Sequence, residues 1–368
     1  MRVLHFADLH LDAPFAWTGA TGEVARRRRE RLRQALKVVA ALAVEEHVHA
    51  LFCGGDLYEH DRVTPDTAAF LRSTFAELAP IRVFLAPGNH DWLGPQSVYS
   101  TVDWTPNVHV FNTSQLAPVT LDDGLTLWGA AHLVPANTDG FFDRGFRVDR
   151  GGVHLALFHG AERSWITNQE SGKQPHAPFD AAQLEAAGIQ HAFLGHYHRP
   201  SHGPHHTYPG NPAPLAFGED GERGAVLAEI AQNGHVTASV RRVAEADAHD
   251  LALDVTGCDS RDEVRRRALG VAGERRGVAR VTLVGELHQD VDLHERDLRD
   301  WLSVFEAITV RAGDLRPGYD IDLIRAERTV RGQFVNDVLA AGLEADEQRR
   351  ILVTGLRALD GRGDLEVA

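Results

Sequence analysis

Five short apolar runs in this chain each break off into a cluster of side chains that ligate metal ions, and that recurrence narrows the folds open to it. Val3-Leu4-His5-Phe6-Ala7 precedes Asp8-Leu9-His10, and His49-Ala50-Leu51-Phe52-Cys53 precedes Gly54-Gly55-Asp56. Ile81 to Ala86 precedes Pro87-Gly88-Asn89-His90-Asp91. Val153 to Phe158 precedes His159-Gly160, and Gln190 to Leu194 precedes Gly195-His196-Tyr197-His198. Runs of this length rich in Val, Ile, Leu and Phe read as buried strands of an α/β sheet. Loops leaving strand ends are where such a sheet gathers residues that are distant in sequence.

The bursts offer two Asp, one Asn and four His as ligands: Asp8, His10, Asp56, Asn89, His159, His196 and His198, with His90 left over. A catalytic zinc site typically uses three protein ligands. Seven exceed that and suit a pair of divalent cations about 3.5–4 Å apart, with Asp56, alone on its loop, as the bridge. Imidazole and oxygen ligands without thiolate favour Mn, Fe or Zn over calcium or an iron–sulfur cluster. With 21 His in 368 residues, no single His carries this reading. The ordered set of five clusters does.

Asp-x-His, Gly-Asp, Gly-Asn-His-Asp, His and Gly-His-x-His, running from Asp8 to His198, resemble the pattern of the calcineurin-like metallophosphoesterases. The segment Ala7 to Phe15 resembles the opening of the bacterial SbcD/YhaO branch of DNA-repair nucleases. So does Tyr208 to Glu219 with Gly224-Ala225-Val226-Leu227. The resemblance covers about residues 1–230 and implies a layered α/β/β/α sandwich. It further implies one cation held by Asp8, His10, Asp56 and His198, and another by Asp56, Asn89, His159 and His196, with manganese the expected metal. His90 matches the family's catalytic histidine, and Asp91 would orient it from behind. Several nucleases of this family carry a His three residues after the bridging Asp; this chain has Glu59 there, followed by His60. Glu59 is read as facing solvent, the alternative being a bound water or extra cation.

A length of 368 residues and 43% hydrophobic content suggest more than one domain with sizeable cores. Cys53 and Cys258 are far apart, which fits a reducing cytoplasm and offers neither a disulfide framework nor a zinc knuckle. No signal peptide is recognised at the start, and no apolar stretch approaches the 18 or so residues that span a membrane. A net charge of −14 sits awkwardly with a nucleic-acid partner. A cation pair would offset it locally, and Arg26 to Arg29, Arg31 and Arg33 form a dense basic segment. Leu32, Leu36, Val39 and Leu42 follow at helical spacing, so these arginines decorate an amphipathic helix that faces either DNA or solvent.

A helix is expected over Ala68–Leu78, and strands at Leu125–Trp128 and Ala225–Ile230. The polar turn Ala231-Gln232-Asn233-Gly234-His235 marks a boundary, giving a first domain over 1–234 and a small α+β unit over 235–325. Its strands lie at Leu251–Val255, Val278–Val284 and Ala307–Val310, and its helices at Ser260–Leu269 and Glu295–Val304. It resembles the branch's capping domain. A helical tail over 326–368 resembles the element by which SbcD-like proteins hold an SbcC-like, SMC-type ATPase; self-packing is the alternative. The chain has no Gly-x4-Gly-Lys-[Ser/Thr] loop of its own. In the nuclease branch the neighbourhood of Trp92, Tyr99 and Trp104 forms a homodimer contact, again with internal packing as the alternative. The implied function is a metal-dependent DNA exonuclease, with endonuclease action a further expectation, in double-strand-break repair. The alternative is a cation-pair phosphodiesterase or phosphatase acting on a small molecule or phosphoprotein.

Overall fold

The computed structural model describes residues 1–16, 22–136, 138–142, 145–168, 175–219, 221–244 and 247–362. The chain divides into two compact units, Met1–Phe15 with Ala25–Ala246, and Ala16–Val24 with Asp247–Ala368.

The first unit carries β1 (Arg2–Phe6), α1 (Gly22–Glu45, its first turn counted with the second unit), β2 (Ala50–Cys53), α2 (Pro65–Ala76) and β3 (Arg82–Leu85). Next come α3 (Val98–Thr101), β4 (Val108–Val110), β5 (Ala117–Asp122), β6 (Leu125–Gly129) and β7 (Val153–His159). It continues with α4 (Ala181–Ala187), β8 (His191–Gly195), β9 (Ser201–His202), β10 (His206–Tyr208), β11 (Gly224–Ile230) and β12 (Val236–Arg242). Two six-stranded sheets result, ordered β12-β11-β1-β2-β3-β4 and β5-β6-β7-β8-β10-β9. In both, the central strands run parallel, and antiparallel pairs are found toward the edges.

The sheets meet face to face because alternate residues of each are large and apolar. Val3, Phe52 and Phe84 from one join Leu127, Leu155, Leu157 and Phe193 from the other in a single buried cluster. Side chains on the opposite faces, such as Leu4, Leu51 and Leu85, are also fully buried. Helix α1 turns Leu32, Ala35, Leu36, Val39 and Ala43 inward at the spacing of one helical face. Helix α2 begins three residues before the expected start. Thr64 caps it by accepting from the Thr67 N–H, and Pro65 occupies the first turn, where a missing N–H costs nothing. On the far side of the second sheet, Phe158, Ala192 and Leu194 pack with Leu184 and Ala187 of α4. The α/β/β/α layering inferred from the motifs is thus present.

The boundary expected after residue 234 falls elsewhere. Gly234, at φ +84°, turns a hairpin that pairs β12 with β11 along seven residues, so the break comes at residue 246. A polar turn rich in Gly ends a strand without ending a sheet.

The second unit holds β13 (Ala248–Asp254), α5 (Arg261–Ala272), β14 (Val278–His288), α6 (Glu295–Trp301) and β15 (Ala307–Gly318). Its three strands pair in parallel, so each crossover is made through a helix. Leu251, Leu253, Val281 and Leu283 bury one face of the sheet with Val264, Ala268 and Ala272 of α5. The other face carries the exposed pair Asp250–Arg280. Helices α7 (Ile321–Arg325), α8 (Val330–Ala340) and α9 (Ala345–Leu359) follow. Ile324, Val335, Val338, Leu352 and Leu356 form their own small core. Among the described residues, no helix is long and apolar enough to cross a membrane.

Candidate metal centre

All five clusters lie at the carboxyl ends of parallel strands. Asp8 and His10 follow β1, Asp56 follows β2, and Asn89 to Asp91 follow β3. His159 ends β7, and His196 and His198 follow β8. The first two loops are stitched together, since the Asp8 N–H donates to the Gly55 carbonyl (3.0 Å) and the His10 N–H to the Asp56 carbonyl (2.9 Å). Four of the seven expected ligands pay a conformational cost. Asp8, His10, Asp56 and His196 have φ of 54°, 50°, 52° and 120°, a region non-glycine residues rarely occupy. Such strain, about 1–3 kcal/mol per residue, persists where the surroundings over-determine it.

The side chains converge. In each of the groups Asp8–His10–His198, Asp8–Asp56–His159 and His10–Asp56–His90, the ligand atoms lie within 4.8 Å of one another. His10 Nε2 and His159 Nε2 approach the same oxygen, Asp56 Oδ2, at 3.6 and 3.3 Å. The other oxygen, Oδ1, accepts the His90 N–H at 2.9 Å. Asp56 therefore presents one oxygen to both halves of the site, as a bridging ligand would. Gly88 is required beside it, because a Cβ there would collide with Asp56 Oδ1. His10 Nε2, Asn89 Oδ1, His159 Nε2 and His196 Nε2 are buried with no hydrogen-bond partner. Buried polar atoms are rarely left so. Those of His10 and His159 face an oxygen of Asp56, and such bare donors beside a carboxylate fit divalent cations in donor chemistry.

A second layer orients the first. His10 Nδ1 bonds Glu59 Oε1 (2.7 Å), His198 Nδ1 bonds Glu219 Oε1 (2.9 Å), and His159 Nδ1 bonds the Gly54 carbonyl (3.0 Å). Engaging Nδ1 leaves Nε2 for a metal. The His196 N–H reaches both oxygens of Asp8, at 2.9 and 3.2 Å.

Two expectations fail here. Glu59 does not face solvent: its side chain is 21% exposed, and its second oxygen bonds His90 Nδ1 at 3.0 Å. Asp91 does not hold His90. Its carboxylate accepts the N–H groups of Gly88 (2.6 Å), Asp56 (3.1 Å) and Leu57 (2.7 Å) and the Tyr99 hydroxyl (2.5 Å), which leaves it no capacity to spare. Asp91 fixes the two loops; Glu59 orients His90. His60 stacks on Trp92 at 4.3 Å instead of entering the cluster. Tyr99 is buried on Asp91, and the Trp104 indole donates to the Tyr99 carbonyl, so the aromatic trio has internal contacts. Of the basic segment, Arg28 is buried against Phe15 and donates to the Pro214 carbonyl, and Arg33 pairs with Asp66.

The Tyr208–Glu219 segment serves His198. Glu219 also accepts from Asn211 Nδ2 and the Leu215 N–H, both at 2.6 Å, and Arg223 ties the Asn211 side chain to the His198 carbonyl. Reading motifs along the chain found the segment but not this role. His132 was missed as well: it is fully buried and bonds the His159 carbonyl at 2.8 Å, and only its burial would have marked it.

The charges follow from this packing. Burial lowers the His90 imidazole, but Asp56 and Glu59 beside it raise it to about 9. Burial pushes Glu59 up, and hydrogen bonds from His10 and His90 more than offset this, bringing it to about 2. Burial raises Asp91 to about 6, with Asp56 adding to the effect. Burial also raises Asp8, against the pull of His159 and His198.

Residues 1–200 match the calcineurin-like phosphoesterase family. YhaO of Bacillus subtilis (strain 168), an uncharacterized metallophosphoesterase, is 27% identical over 267 residues, which are 70% of this chain and 64% of that protein. TT1561 of Thermus thermophilus is similar in structure over 65% of this chain and 98% of its own, with a TM-score of 0.39 and 12% identity. GAP50, the anchor in the inner membrane complex of Plasmodium, is similar over 77% and 96%, with a TM-score of 0.34 and 10% identity. Neither structural likeness bears on function. On the match to its first 200 residues, the chain belongs to the calcineurin-like phosphoesterase family.

Proposed function

We propose, from that membership, that this chain is a phosphodiester hydrolase with a pair of divalent cations, manganese by preference. Its substrate would be DNA, and it would act as the exonuclease and endonuclease subunit of an SbcCD-like repair complex in the cytoplasm. The observation that carries the hydrolase reading is the approach of His10 Nε2 and His159 Nε2, both buried and without a hydrogen-bond partner, to one oxygen of Asp56. Support for DNA comes from the Ala7–Phe15 and Tyr208–Glu219 resemblance, the latter segment being built around His198. An SMC-type ATPase on the helical tail and a homodimer belong to the same reading.

The ligands would be Asp8, His10, Asp56 and His198 on one side and Asp56, Asn89, His159 and His196 on the other. When bound, the cations supply Lewis acidity toward the water nucleophile and the phosphoryl oxygens. The protein's own contribution is orientation and a proton. Glu59 holds His90 Nδ1, so Nε2 is free to face substrate, and the side chain is 43% exposed. With the Glu59 carboxylate on its Nδ1, His90 would give its proton to the leaving oxygen. Asp91 keeps the Asp56 and Asn89 loops in register during this.

A second reading, a small-molecule phosphodiesterase or phosphatase, is favoured by Glu59 in place of the nuclease histidine. The test is manganese-dependent hydrolysis of end-labelled duplex and single-stranded DNA beside bis-p-nitrophenyl phosphate and a phosphopeptide, with Asp56→Ala as control. Cleavage of the small ester or the phosphopeptide without DNA cleavage rejects the nuclease reading.

A further inference from the structure

The second unit has a polar cavity of about 410 Å³, a volume within the range of small-ligand pockets. Gln289, Asp290 and Asp292, from the segment joining β14 to α6, line it together with Arg331 at the start of α8 and Asp360 at the end of α9. Its walls are tied in place. Arg362 donates to the Gln289 and Val291 carbonyls, and the Tyr319 hydroxyl donates to Asp360 Oδ2 at 3.2 Å.

The Gln289 and Arg331 side chains are partly exposed, but three of their polar atoms are buried without a hydrogen-bond partner: Arg331 Nε and Nη2, and Gln289 Oε1. Asp360 Oδ1 comes within 3.3 Å of Arg331 Nε, close enough for charge attraction, yet it completes no hydrogen bond there. Nε and Nη2 form the edge of a guanidinium that takes both oxygens of one carboxylate or phosphate. Arg331 also lies in the first turn of α8, where the helix dipole favours an anion. A bare donor pair and a bare acceptor in one cavity are satisfied together by a ligand that brings both partners. Charge decides which anion. Among the lining residues three aspartates outnumber two arginines, which disfavours a dianion such as phosphate and favours a carboxylate that carries cations. We propose that this cavity binds a basic α-amino acid, free or as the last residue of a peptide. Its carboxylate sits on the Arg331 fork, its α-nitrogen donates to Gln289 Oε1, and its side-chain cation lies beside Asp290 and Asp292. Such a ligand clips the β14–α6 segment to the helices α8 and α9.

The experiment is calorimetric titration of the full chain with L-lysine and L-arginine, with the thermal transition followed alongside. The expected result is one binding site with a Kd of about 1 mM or tighter, and a Tm that climbs with ligand concentration. L-lysine methyl ester, which lacks the carboxylate, and inorganic phosphate should each bind at least about tenfold more weakly than L-lysine. Arg331→Lys keeps a charge opposite Asp360 but loses the fork, and should weaken L-lysine about tenfold or more. Gln289→Met removes an acceptor that bonds nothing in the protein, so it should fold, and should weaken L-lysine about 2–10-fold. It carries the test if Arg331→Lys does not fold. The peptide Gly-Gly-Lys separates the sources: affinity at or above that of L-lysine points to a peptide end, and weaker binding to the free amino acid. Three results overturn the proposal: no binding of either amino acid at about 10 mM, a methyl ester that binds as well as lysine, or unchanged affinity in the folded variants.

Discussion

The two units of this molecule treat strain and buried polarity in opposite ways. Among the described residues, every non-glycine residue at positive φ belongs to the first unit, from Asp8 to His196, whereas positive φ in the second unit occurs only at glycines such as Gly257 and Gly285. Buried polar and charged side chains follow the same division. Among the described residues, nineteen of them lie between His5 and Arg223, and the second unit has only Asp297, which is matched by Arg261. A βαβαβ layer with an apolar face can satisfy every local preference at once. A site that must hold bare ligand atoms and clustered carboxylates cannot, and its residues are kept in place by a surrounding fold that gains more elsewhere.

That contrast can be tested, starting with the largest effect. His90→Asn should lower kcat about 10²–10⁴-fold with bound metal unchanged; full activity would remove His90 from the chemistry. Leu283→Ala, at a fully buried position in the relaxed unit, should cost about 2–5 kcal/mol in the urea transition of that unit. Manganese affinity should not move, and a shift beyond about threefold would show that the contrast is not local. Glu59→Gln should lower kcat/KM about tenfold, the magnitude of one charged hydrogen bond, and change its pH profile. His90 keeps its proton up to about 9 because Asp56 and Glu59 outweigh burial. With Glu59 neutral less opposes burial, so the alkaline limb should move to lower pH; an unmoved limb would mean Glu59 does not act through His90. Smallest, His47→Gly should stabilise the protein by about 0.5–1 kcal/mol with kcat unchanged. His47 is exposed and left-handed at φ 51° just past α1, so its strain serves no ligand.

The strands and their ligand bursts were legible because burial on both faces writes a continuous apolar run, and the run stops where the loop turns to the site. What lay two steps from the metal was not. Glu59 looks like any loop glutamate in one dimension, and only folding brings His10 and His90 to its two oxygens. Asp91, next to His90 in sequence, is aimed at the backbone of two loops instead. The turn at Gly234 has the composition of a linker and the geometry of a hairpin, which only the pairing of β11 with β12 distinguishes.

Strand β1 lies between β2 and β11, pairing Arg2 with Glu229 and His5 with Val226, while the Met1 ammonium reaches the Ile230 carbonyl at 2.8 Å. During synthesis β1 thus lacks one of its two neighbours until β11, which ends at Ile230, has been made. Loop closure over such a span is slow, and an open strand edge invites pairing with other nascent chains. Translation that stalls before β11 would therefore yield aggregates, and a C-terminal truncation that removes β11 should be insoluble however intact its ligands.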